Sequence, residues 1–333
     1  MKIIVPMAGM GKRMRPHTLT TPKPLIPVAG KPIVQHLVED IIRMCNQKVD
    51  EIAYVVGNFG TEAEKNLIKI AESLGAKGTI HYQDTPLGTA HAILCAESAL
   101  TGPVVVAFAD TLFSADFNMD PQCDGVIWVK QIEDPRQFGV VKTDKDQVIT
   151  DFVEKPQEFV SDLAIIGIYY VKDGDNLKKE LQYLIDNDIK DKGEYQLTNA
   201  LENMKAKGLR LKAGRVDEWL DCGNKDATVY TNRRVLEIKY PKSYIAKTAT
   251  LTNSVVIAPC HIGENVHLEN SVVGPFTSVG NNTKIIGSVV KNSIIRDHTS
   301  IKDAGLDNSL VGNHVHYKQK LNDLSMGDYT TES

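Results

Sequence analysis

The sequence predicts an α/β domain with a Rossmann-like, mostly parallel mixed sheet and flanking helices, followed by a short parallel β-helix. Short apolar strands alternate with amphipathic helices in the first part of the chain. A six-residue aliphatic repeat then occupies the region near the C-terminus. Because 333 residues exceed one typical core, we expect a larger domain over 1–238, a β-helix domain over 239–317 and a polar tail over 318–333.

The composition excludes several classes of protein. Apolar residues make up 42% and charged residues 24% of the chain, as in ordinary globular proteins. A net charge of -4 argues against a nucleic-acid or anionic-membrane partner, and no apolar run approaches the ~20 residues of a membrane helix. The five cysteines form no C-x-x-C pair, so neither a zinc site nor a disulfide framework is indicated. We therefore expect a cytoplasmic protein.

A glycine-rich, cationic loop connects the first strand, 3–5, to the first helix. Gly9 and Gly11 can adopt positive φ and allow backbone N–H groups to converge on an anion. Nearby prolines fix φ, which reduces the entropy lost when the loop closes on a charged ligand. Positively charged side chains surround the same point: Lys12, Arg13, Arg15 and Lys23. The two glycines alone also fit a tight strand-to-helix turn, but the whole pattern predicts a site for a polyanion.

Helices and strands alternate regularly between residues 33 and 108. Apolar spacing predicts helices over about 33–45, 61–74 and 89–99, and strands over 52–56, 79–82 and 104–108. Thr61 and Glu64 match a capping box at the start of the second helix. Ligands of such a sheet bind at the carboxyl ends of its strands. Asp110 follows the third of these strands and is therefore a candidate site residue.

The middle of the chain, about 125–215, is richer in strands and is expected to form a substrate-facing lobe on the same sheet. Its predicted strands are 125–129, 139–141, 149–153 and 164–169. A helix over 196–207 and a strand over 210–213 lead to Trp219-Leu220-Asp221. A helix over about 225–238 ends the first domain.

The C-terminal region contains an internal repeat. The tetrapeptide Asn-Ser-Val-Val at 253–256 recurs at 270–273, and Gly-Ser-Val-Val follows at 287–290. Aliphatic residues recur mostly every six positions: Val256, Ile262, Leu268, Val273, Val279, Ile285, Ile295 and Ile301. A small β-sandwich is the alternative, but this spacing favours a parallel β-helix of about four coils.

The N-terminal loop resembles the signature of the sugar-1-phosphate nucleotidylyltransferases. Its Gly-x-Gly-x-Arg-x-x-Pro pattern is followed by Pro22-Lys23-Pro24, and the resemblance extends through five ordered motifs to about residue 237. The chain has Lys12 where this family usually has threonine, and Ala109 where it usually has glycine. Together with the repeat, the resemblance implies an enzyme similar to the longer glucose-1-phosphate thymidylyltransferases, which carry a C-terminal left-handed β-helix.

The resemblance implies transfer of a nucleoside monophosphate from a nucleoside triphosphate, dTTP, to glucose 1-phosphate, with release of pyrophosphate. Arg13 and Lys23 would be the catalytic cations. Mg²⁺ would be held by Asp110 and by Asp221, which lies in a Trp-x-Asp-x-Gly context. The attacking phosphate oxygen is already anionic, so no general base is required.

The resemblance also assigns substrate-binding residues. Gln83 begins a base-recognition loop, and its amide complements the N3–H and O4 of uracil or thymine. The implied nucleotide-binding residues are Ala8, Gly9, Gly11, Lys12, Arg13, Gln83, Pro86, Gly88 and Thr89. The implied sugar-phosphate-binding residues are Asp110, Gly139, Glu154, Lys155 and Gly167.

Three alternatives stay open at this point. The same chemistry could use UTP, or GTP or ATP, with another hexose 1-phosphate. His261 and His267, six residues apart on the repeat, could suggest a β-helix acyltransferase. A non-catalytic sensor of sugar nucleotides could share the fold. In the first case and in our main prediction, the protein is expected to be a homo-oligomer through the β-helix.

Overall fold

A computed structural model describes residues 1–45, 47–115, 123–320 and 325–331. The chain forms two compact units. The first contains Met1–Ile26 and Lys31–Asn224, and the second contains Pro27–Gly30 and Lys225–Ser333. The units therefore divide after Asn224, whereas the sequence suggested a boundary at 238. Part of the expected tail, 318–333, lies outside the described residues.

The strands of the chain up to residue 224 are short and mostly buried. They are β1 (Lys2–Pro6), β2 (Pro27–Val28), β3 (Lys31–Pro32), β4 (Glu51–Val56), β5 (Lys77–Tyr82), β6 (Val104–Ala107), β7 (Thr111–Ser114), β8 (Gly125–Gln131), β9 (Gly139–Thr143), β10 (Ile149–Glu154), β11 (Leu163–Val171), β12 (Leu211–Arg215) and β13 (Glu218–Asp221).

Five α-helices accompany these strands within the described residues. They are α1 (Ile33–Met44), α2 (Thr61–Ser73), α3 (Thr89–Leu94), α4 (Gly174–Asp186) and α5 (Leu197–Ala206). Single 3₁₀ turns occur at Lys12–Met14, His17–Leu19, Lys23–Leu25 and Glu97–Ala99.

The main sheet of the first unit is mixed, as the sequence predicts. Its order is β10-β9-β11-β6-β1-β4-β5, with β8 beside β11 and β12 beside β8. The pairs β1–β4, β1–β6, β4–β5 and β8–β12 are parallel, whereas β11 pairs antiparallel with its neighbours. The parallel half places the ends of β1 and β6 at one edge of the sheet, where the glycine-rich loop and Asp110 follow them.

Two local predictions for the helices differ from the structure. The helix α2 begins after Gly60 and has no side-chain cap, so Thr61 is a helical residue rather than part of a capping box. The predicted helix over 89–99 is divided, because α3 ends at Leu94 and a 3₁₀ turn occupies Glu97–Ala99. The helix α4, which the sequence analysis did not predict, packs the buried Leu177, Leu181 and Leu184 into the core.

Besides Pro27–Gly30, the second unit contains α6 (Lys225–Lys239) and a parallel coil of short strands. The strands are β14 (Tyr244–Ile245), β15 (Thr250–Thr252), β16 (Val255–Val256), β17 (Cys260–Ile262), β18 (His267–Glu269), β19 (Val272–Val273), β20 (Thr277–Val279), β21 (Lys284–Ile286), β22 (Val289–Val290), β23 (Ile294–Ile295), β24 (Ser300–Lys302), β25 (Gly305–Leu306), β26 (Leu310–Val311) and β27 (His316–Lys318).

These strands form the three faces of the expected left-handed β-helix. Among the described residues, two faces contain five parallel strands each and the third contains four. The aliphatic ladder faces inward, and members such as Ile262, Val279 and Ile301 are fully buried. The sequence count of about four coils is one too low on two faces, because each of these faces ends in a short exposed strand, β14 or β27, that does not continue the buried aliphatic ladder.

The predicted fold class is therefore confirmed: a mixed Rossmann-like sheet with helices precedes a left-handed β-helix. Within the described residues, no helix combines the length and the apolarity needed to cross a membrane.

Candidate active site

The glycine-rich loop follows β1 and uses its two glycines differently. Gly11 has φ 58°, and a Cβ there would lie 3.0 Å from Thr18 Cγ2 and 3.1 Å from Lys23 Cβ. Gly9 does not adopt positive φ, contrary to our expectation, but the space beside its Cα is open within 4 Å. Gly11 therefore folds the loop tightly, and Gly9 leaves room for a ligand to approach the backbone.

Lys23 is fixed by an ion pair with Asp110. The Nζ atom of Lys23 donates a hydrogen bond of 2.8 Å to Oδ2 of Asp110, which lies 87 residues further along the chain. Only 11% of the lysine side chain is exposed, compared with 42% of the aspartate side chain. The lysine begins a 3₁₀ turn that follows Pro22. This cation is thus held in place before any ligand binds.

Backbone pairing brings Asp110 and Asp221 together. Antiparallel pairing of β7 with β13 places Asp221 opposite Thr111, the residue after Asp110. The backbone N–H of Cys222 also donates a 3.0 Å hydrogen bond to the carbonyl oxygen of Asp110. Two acidic residues that are 111 positions apart in sequence therefore become neighbours at the end of β6.

Arg13 completes this group of charges. A Cβ added to Gly223 would lie 2.7 Å from Oδ2 of Asp221 and 3.1 Å from a terminal nitrogen of Arg13, so glycine leaves space for both groups. Burial raises the pKa of the Asp221 carboxyl above its usual value, and the charge of Asp110 acts in the same direction. A backbone hydrogen bond from Gly223 and the charges of Lys23 and Arg13 oppose this rise. The charges of Asp110, Lys23 and Arg13 therefore all act on Asp221.

A cavity of about 430 Å³, which we call the loop cavity, lies beside these charges. The glycine-rich loop forms one side, and the chain between β5 and α3 forms another. The predicted site residues in its lining are Ala8, Gly9, Gly11, Lys12, Arg13, Lys23, Gln83, Pro86, Gly88, Thr89 and Asp110. The structure thus brings together the whole predicted nucleotide-binding set and both predicted catalytic cations.

Gly88 allows the 83–89 segment to pack against the chain before α5. Its φ is +116°, and a Cβ would lie 2.5 Å from the carbonyl oxygen of Tyr195. Thr89 Oγ1 donates to Gln196 Oε1 at 3.1 Å and accepts from the N–H of Leu197 at 2.9 Å. The 83–89 segment is therefore attached to the start of α5.

A second cavity of about 320 Å³, the lobe cavity, lies between the same charges and the strands β9, β10 and β11. Arg13, Thr89, Phe108 and Asp110 line both cavities. The remaining predicted site residues in the lobe cavity are Gly139, Glu154, Lys155, Gly167 and Asp221. The charged group thus stands between the two cavities.

Backbone geometry orients Glu154 and Lys155 in the lobe cavity. A Cβ on Gly139 would lie 3.0 Å from Oε2 of Glu154, so glycine makes room for this carboxylate. Lys155 adopts a left-handed φ of 43°, and Nζ of Lys192 donates to the backbone carbonyls of both residues. Gly167 has φ +85° with ordinary contacts to Phe108, so its backbone angle, and not a close approach, requires glycine.

Several cavity residues were not among the sequence predictions. Glu194 lines the loop cavity, and the lobe cavity is also lined by Gln137, Phe138, Tyr169, Gln196, Thr198 and Trp219. The rings of Phe138 and Trp219 meet edge to face at 4.8 Å. Trp219 belongs to the Trp-x-Asp-x-Gly context of Asp221, but only the folded chain shows that it and the other residues line the cavities.

The charged group contains two carboxylates, those of Asp110 and Asp221, that are candidate ligands for a divalent metal. Among the described residues, no group of three or more His, Cys, Asp or Glu side chains is arranged to hold an ion. Mg²⁺ commonly takes only one or two protein carboxylates, together with water and substrate phosphate oxygens. The neighbouring carboxylates of Asp110 and Asp221 fit this requirement.

Comparisons with known proteins identify similar sequences and a similar fold. A sequence model described as nucleotidyl transferase matches residues 2–237. A glucose-1-phosphate thymidylyltransferase from Streptomyces antibioticus is 28% identical, with 96% of this chain and 94% of that protein covered. A low-salt glycan biosynthesis nucleotidyltransferase from Haloferax volcanii is 29% identical, with 94% and 92% covered. A structure of UDP-glucose pyrophosphorylase complexed with UDP-glucose shares the fold, with a TM-score of 0.58, 24% identity and coverage of 72% and 99%.

Proposed function

Because the chain belongs to the nucleotidyl transferase family, we propose that it transfers thymidine monophosphate from dTTP to glucose 1-phosphate and releases pyrophosphate. The coarser assignment, a sugar-1-phosphate nucleotidyltransferase, follows from the family and from the relatives that match nearly the whole chain. The choice of dTTP and glucose 1-phosphate is the part that we propose.

One observation supports the proposal above all others. Arg13, Lys23, Asp110 and Asp221 form one charged group between two cavities. In our proposal the amide of Gln83 in the loop cavity faces the base, and Glu154 and Lys155 in the lobe cavity bind the hydroxyl groups and the phosphate of the sugar. Two substrates that each end in a phosphate could therefore meet at the charges.

The residues of the chain can supply what this reaction needs. A phosphate oxygen of the sugar phosphate attacks the α-phosphorus of the nucleoside triphosphate in line and forms a new P–O bond. The bond between the α-phosphorus and the oxygen that bridges to the β-phosphate breaks, and pyrophosphate leaves with the electron pair. In our proposal Arg13 neutralises the triphosphate and the leaving group, and Lys23 holds the α-phosphate region. Lys155 would meet the phosphate of the sugar, and Glu154 its hydroxyl groups. No side chain has to remove a proton.

Asp110 and Asp221 would hold Mg²⁺ in this proposal. When bound, the ion would neutralise phosphate charge and help to orient the triphosphate. The Lys23–Asp110 ion pair already holds one of these carboxylates in position through Oδ2. Burial raises the pKa of the Asp221 carboxyl, and a bound cation would favour its ionised form.

UTP is a second candidate for the nucleotide. Thymine and uracil present the same ring N3–H to an amide oxygen, so Gln83 does not distinguish between them. GTP or ATP with another hexose 1-phosphate stays a weaker alternative, as does a non-catalytic sensor, which has little use for a metal-binding carboxylate pair. The acyltransferase alternative gains no support, because the ring of His261 stacks on Tyr244 at 4.9 Å and His267 bonds to Thr250.

A substrate panel tests the proposed function. Purified protein with Mg²⁺ is mixed with each of dTTP, UTP, GTP, ATP and CTP, in combination with several sugar 1-phosphates, and pyrophosphate release is measured. We expect the highest kcat/KM for dTTP with glucose 1-phosphate. Release that does not depend on any sugar 1-phosphate would contradict the proposal, because it would indicate hydrolysis of the triphosphate.

A further inference from the structure

The amide of Gln83 is held by two hydrogen-bond acceptors. Its Nε2 lies 3.2 Å from the carbonyl oxygen of Gly88 and 3.0 Å from Nδ1 of His91. An amide nitrogen has two hydrogens, so these two contacts use both of them. The carbonyl oxygen Oε1 is then the group with which Gln83 can meet a ligand in the loop cavity. The expected pairing of the amide with both N3–H and O4 of the base is therefore wrong for this geometry, because no Nε2 hydrogen remains for O4.

His91 belongs to α3 and does not line the loop cavity, although Gln83 and Ala92 do. Burial lowers the pKa of the His91 imidazole, which favours the neutral ring. A neutral ring can accept a hydrogen bond at Nδ1 when its proton is on Nε2. The contact between Gln83 and His91 requires this tautomer, because Nε2 of Gln83 can only donate.

We propose that His91 is a positioning residue that fixes the amide of Gln83 with its oxygen toward the nucleobase, and thereby selects a base that carries a ring N–H. The proposal rests on the proposed function, in which Gln83 meets the base. A fixed Oε1 accepts from N3–H of thymine or uracil. Cytosine has an unprotonated N3 that would face the same oxygen, so two acceptors would oppose each other.

The Gly88 carbonyl alone is a weaker anchor for this orientation. It already accepts a 3.1 Å hydrogen bond from the backbone N–H of Ala92, and its contact with Gln83 is the longer of the two. Without an acceptor at position 91, the Gln83 side chain can turn and offer Nε2–H to N3 of cytosine. The loss of His91 should therefore change the choice of base.

The test compares His91→Leu with His91→Asn. Leucine removes the acceptor, whereas the Asn side-chain oxygen can occupy the place of Nδ1. For each protein we would measure kcat/KM with dTTP and with CTP, and also the dissociation constants of both nucleotides by calorimetry. We expect the ratio of kcat/KM for dTTP to kcat/KM for CTP to fall about three- to tenfold in His91→Leu, which is the effect of one net hydrogen bond. The ratio should recover in His91→Asn.

A double-mutant cycle with Gln83→Leu shows whether His91 acts through Gln83. We expect His91→Leu to have no further effect on the nucleotide ratio once Gln83 is replaced. An unchanged ratio in His91→Leu, or the same fall in both His91 variants, would overturn the inference. If the leucine variant does not fold, His91→Met serves as the second variant without a ring nitrogen. Should the wild type transfer no nucleotide, the proposed function fails, whereas the dissociation constants still test the role of His91.

Discussion

Burial raises the pKa of the Asp221 carboxyl, and the nearby charge of Asp110 acts in the same direction. The ionised carboxylate is therefore less favourable in the folded chain than in the unfolded chain. This penalty is fully present at a pH above the raised pKa and disappears below the ordinary pKa of an aspartate. At neutral pH the protein consequently gives up some stability for a charge that the proposed reaction needs.

Asp221→Asn should lower turnover and raise the melting temperature at neutral pH. The amide cannot replace the carboxylate beside a metal-bound triphosphate, so we expect a loss on the order of 100-fold or more. Removal of the desolvated charge should stabilise the fold. Turnover assays and thermal melts, with Asp217→Asn as an exposed control, check both effects. A variant with normal turnover would remove Asp221 from the site.

The pH dependence of wild-type turnover should reflect the same group. Since the active form of Asp221 is ionised and its pKa is raised, kcat/KM should fall as the pH decreases through that raised value. A pH–rate profile measured at saturating Mg²⁺ and at low Mg²⁺ checks this. The fall should move to lower pH at saturating Mg²⁺, because a bound cation favours the ionised carboxylate. A profile that is independent of Mg²⁺ would contradict the assignment.

Lys23→Ala should impair the handling of phosphate without unfolding the protein. The lysine is 11% exposed and is fixed by Asp110, so it is ready to meet a triphosphate. We expect a higher KM for the nucleotide and a kcat lower by about 100-fold. Lys31→Ala is the matched control, because Lys31 pairs with Glu39 and does not line either cavity. Equal kinetics in the two variants would exclude a catalytic role for Lys23.

At the level of elements, the start of α5 holds the 83–89 segment, which we propose meets the base. Thr89 accepts a hydrogen bond from the N–H of Leu197 and donates to Gln196, while Ala90 N–H donates to the carbonyl of Tyr195. The N-cap residue of α5, Gln196, makes no side-chain cap of its own. Thr89, the first residue of α3, therefore satisfies the first N–H of this helix.

Thr89→Val should loosen this attachment. It leaves the Leu197 N–H without its acceptor, and we expect a loss of about 1 to 2 kcal/mol in the free energy of unfolding. The KM for the nucleotide should rise several-fold, because the loop that contains Gln83 and Gly88 loses its support. Thr89→Ser keeps the hydroxyl and should restore both properties. Chemical denaturation and steady-state kinetics provide the measurements. A valine variant with an unchanged free energy of unfolding and an unchanged KM for the nucleotide would contradict this role.

The sequence predicted these elements unequally well. Strands such as β4 and β6 follow from uninterrupted apolar runs, and the inward β-helix ladder follows from its six-residue rhythm. The division of the 89–99 helix and the Gly60 start of α2 could not be predicted, because both depend on local backbone geometry that propensity does not determine. The helix α4 was missed although its leucines lie at helical spacing.

The site was predictable mainly where motifs specify it. Each predicted site residue lines one of the two cavities, whereas the contacts that join them could not be predicted. The N–H of Cys222 bonding to the Asp110 carbonyl, and His91 bonding to the amide of Gln83, depend on chain packing. Such contacts have no fixed spacing in sequence. The assigned roles of the residues stay predictions.

At the level of the whole molecule, the β-helix presents an exposed apolar ladder. Val255 is 56% exposed and Val289 is 51% exposed, and both pair with Val272 on the same face. The inward residues already fill the core of the coil, so these outward valines do not contribute to it. Exposed apolar surface of this kind is typical of interaction sites, which supports our prediction of a homo-oligomer.

Full-length protein should therefore elute from a sizing column as an oligomer. The double variant Val255→Glu/Val289→Glu should elute as a smaller oligomer or as a monomer. The charges would be buried without partners in an interface between copies. Turnover of nucleotide should persist in the smaller species. A matched exposed substitution, Lys284→Glu on another face, should leave the oligomer unchanged. A monomeric full-length protein would contradict the prediction.

The most direct test of the central claim is a crystal structure of the protein with Mg²⁺ and the sugar nucleotide that it forms. Our account predicts that the diphosphate lies among Arg13, Lys23, Asp110 and Asp221, with the base beside Gln83 in the loop cavity and the hexose beside Glu154 in the lobe cavity. A diphosphate bound away from these four side chains, or a base and a hexose in the opposite cavities, would contradict the account.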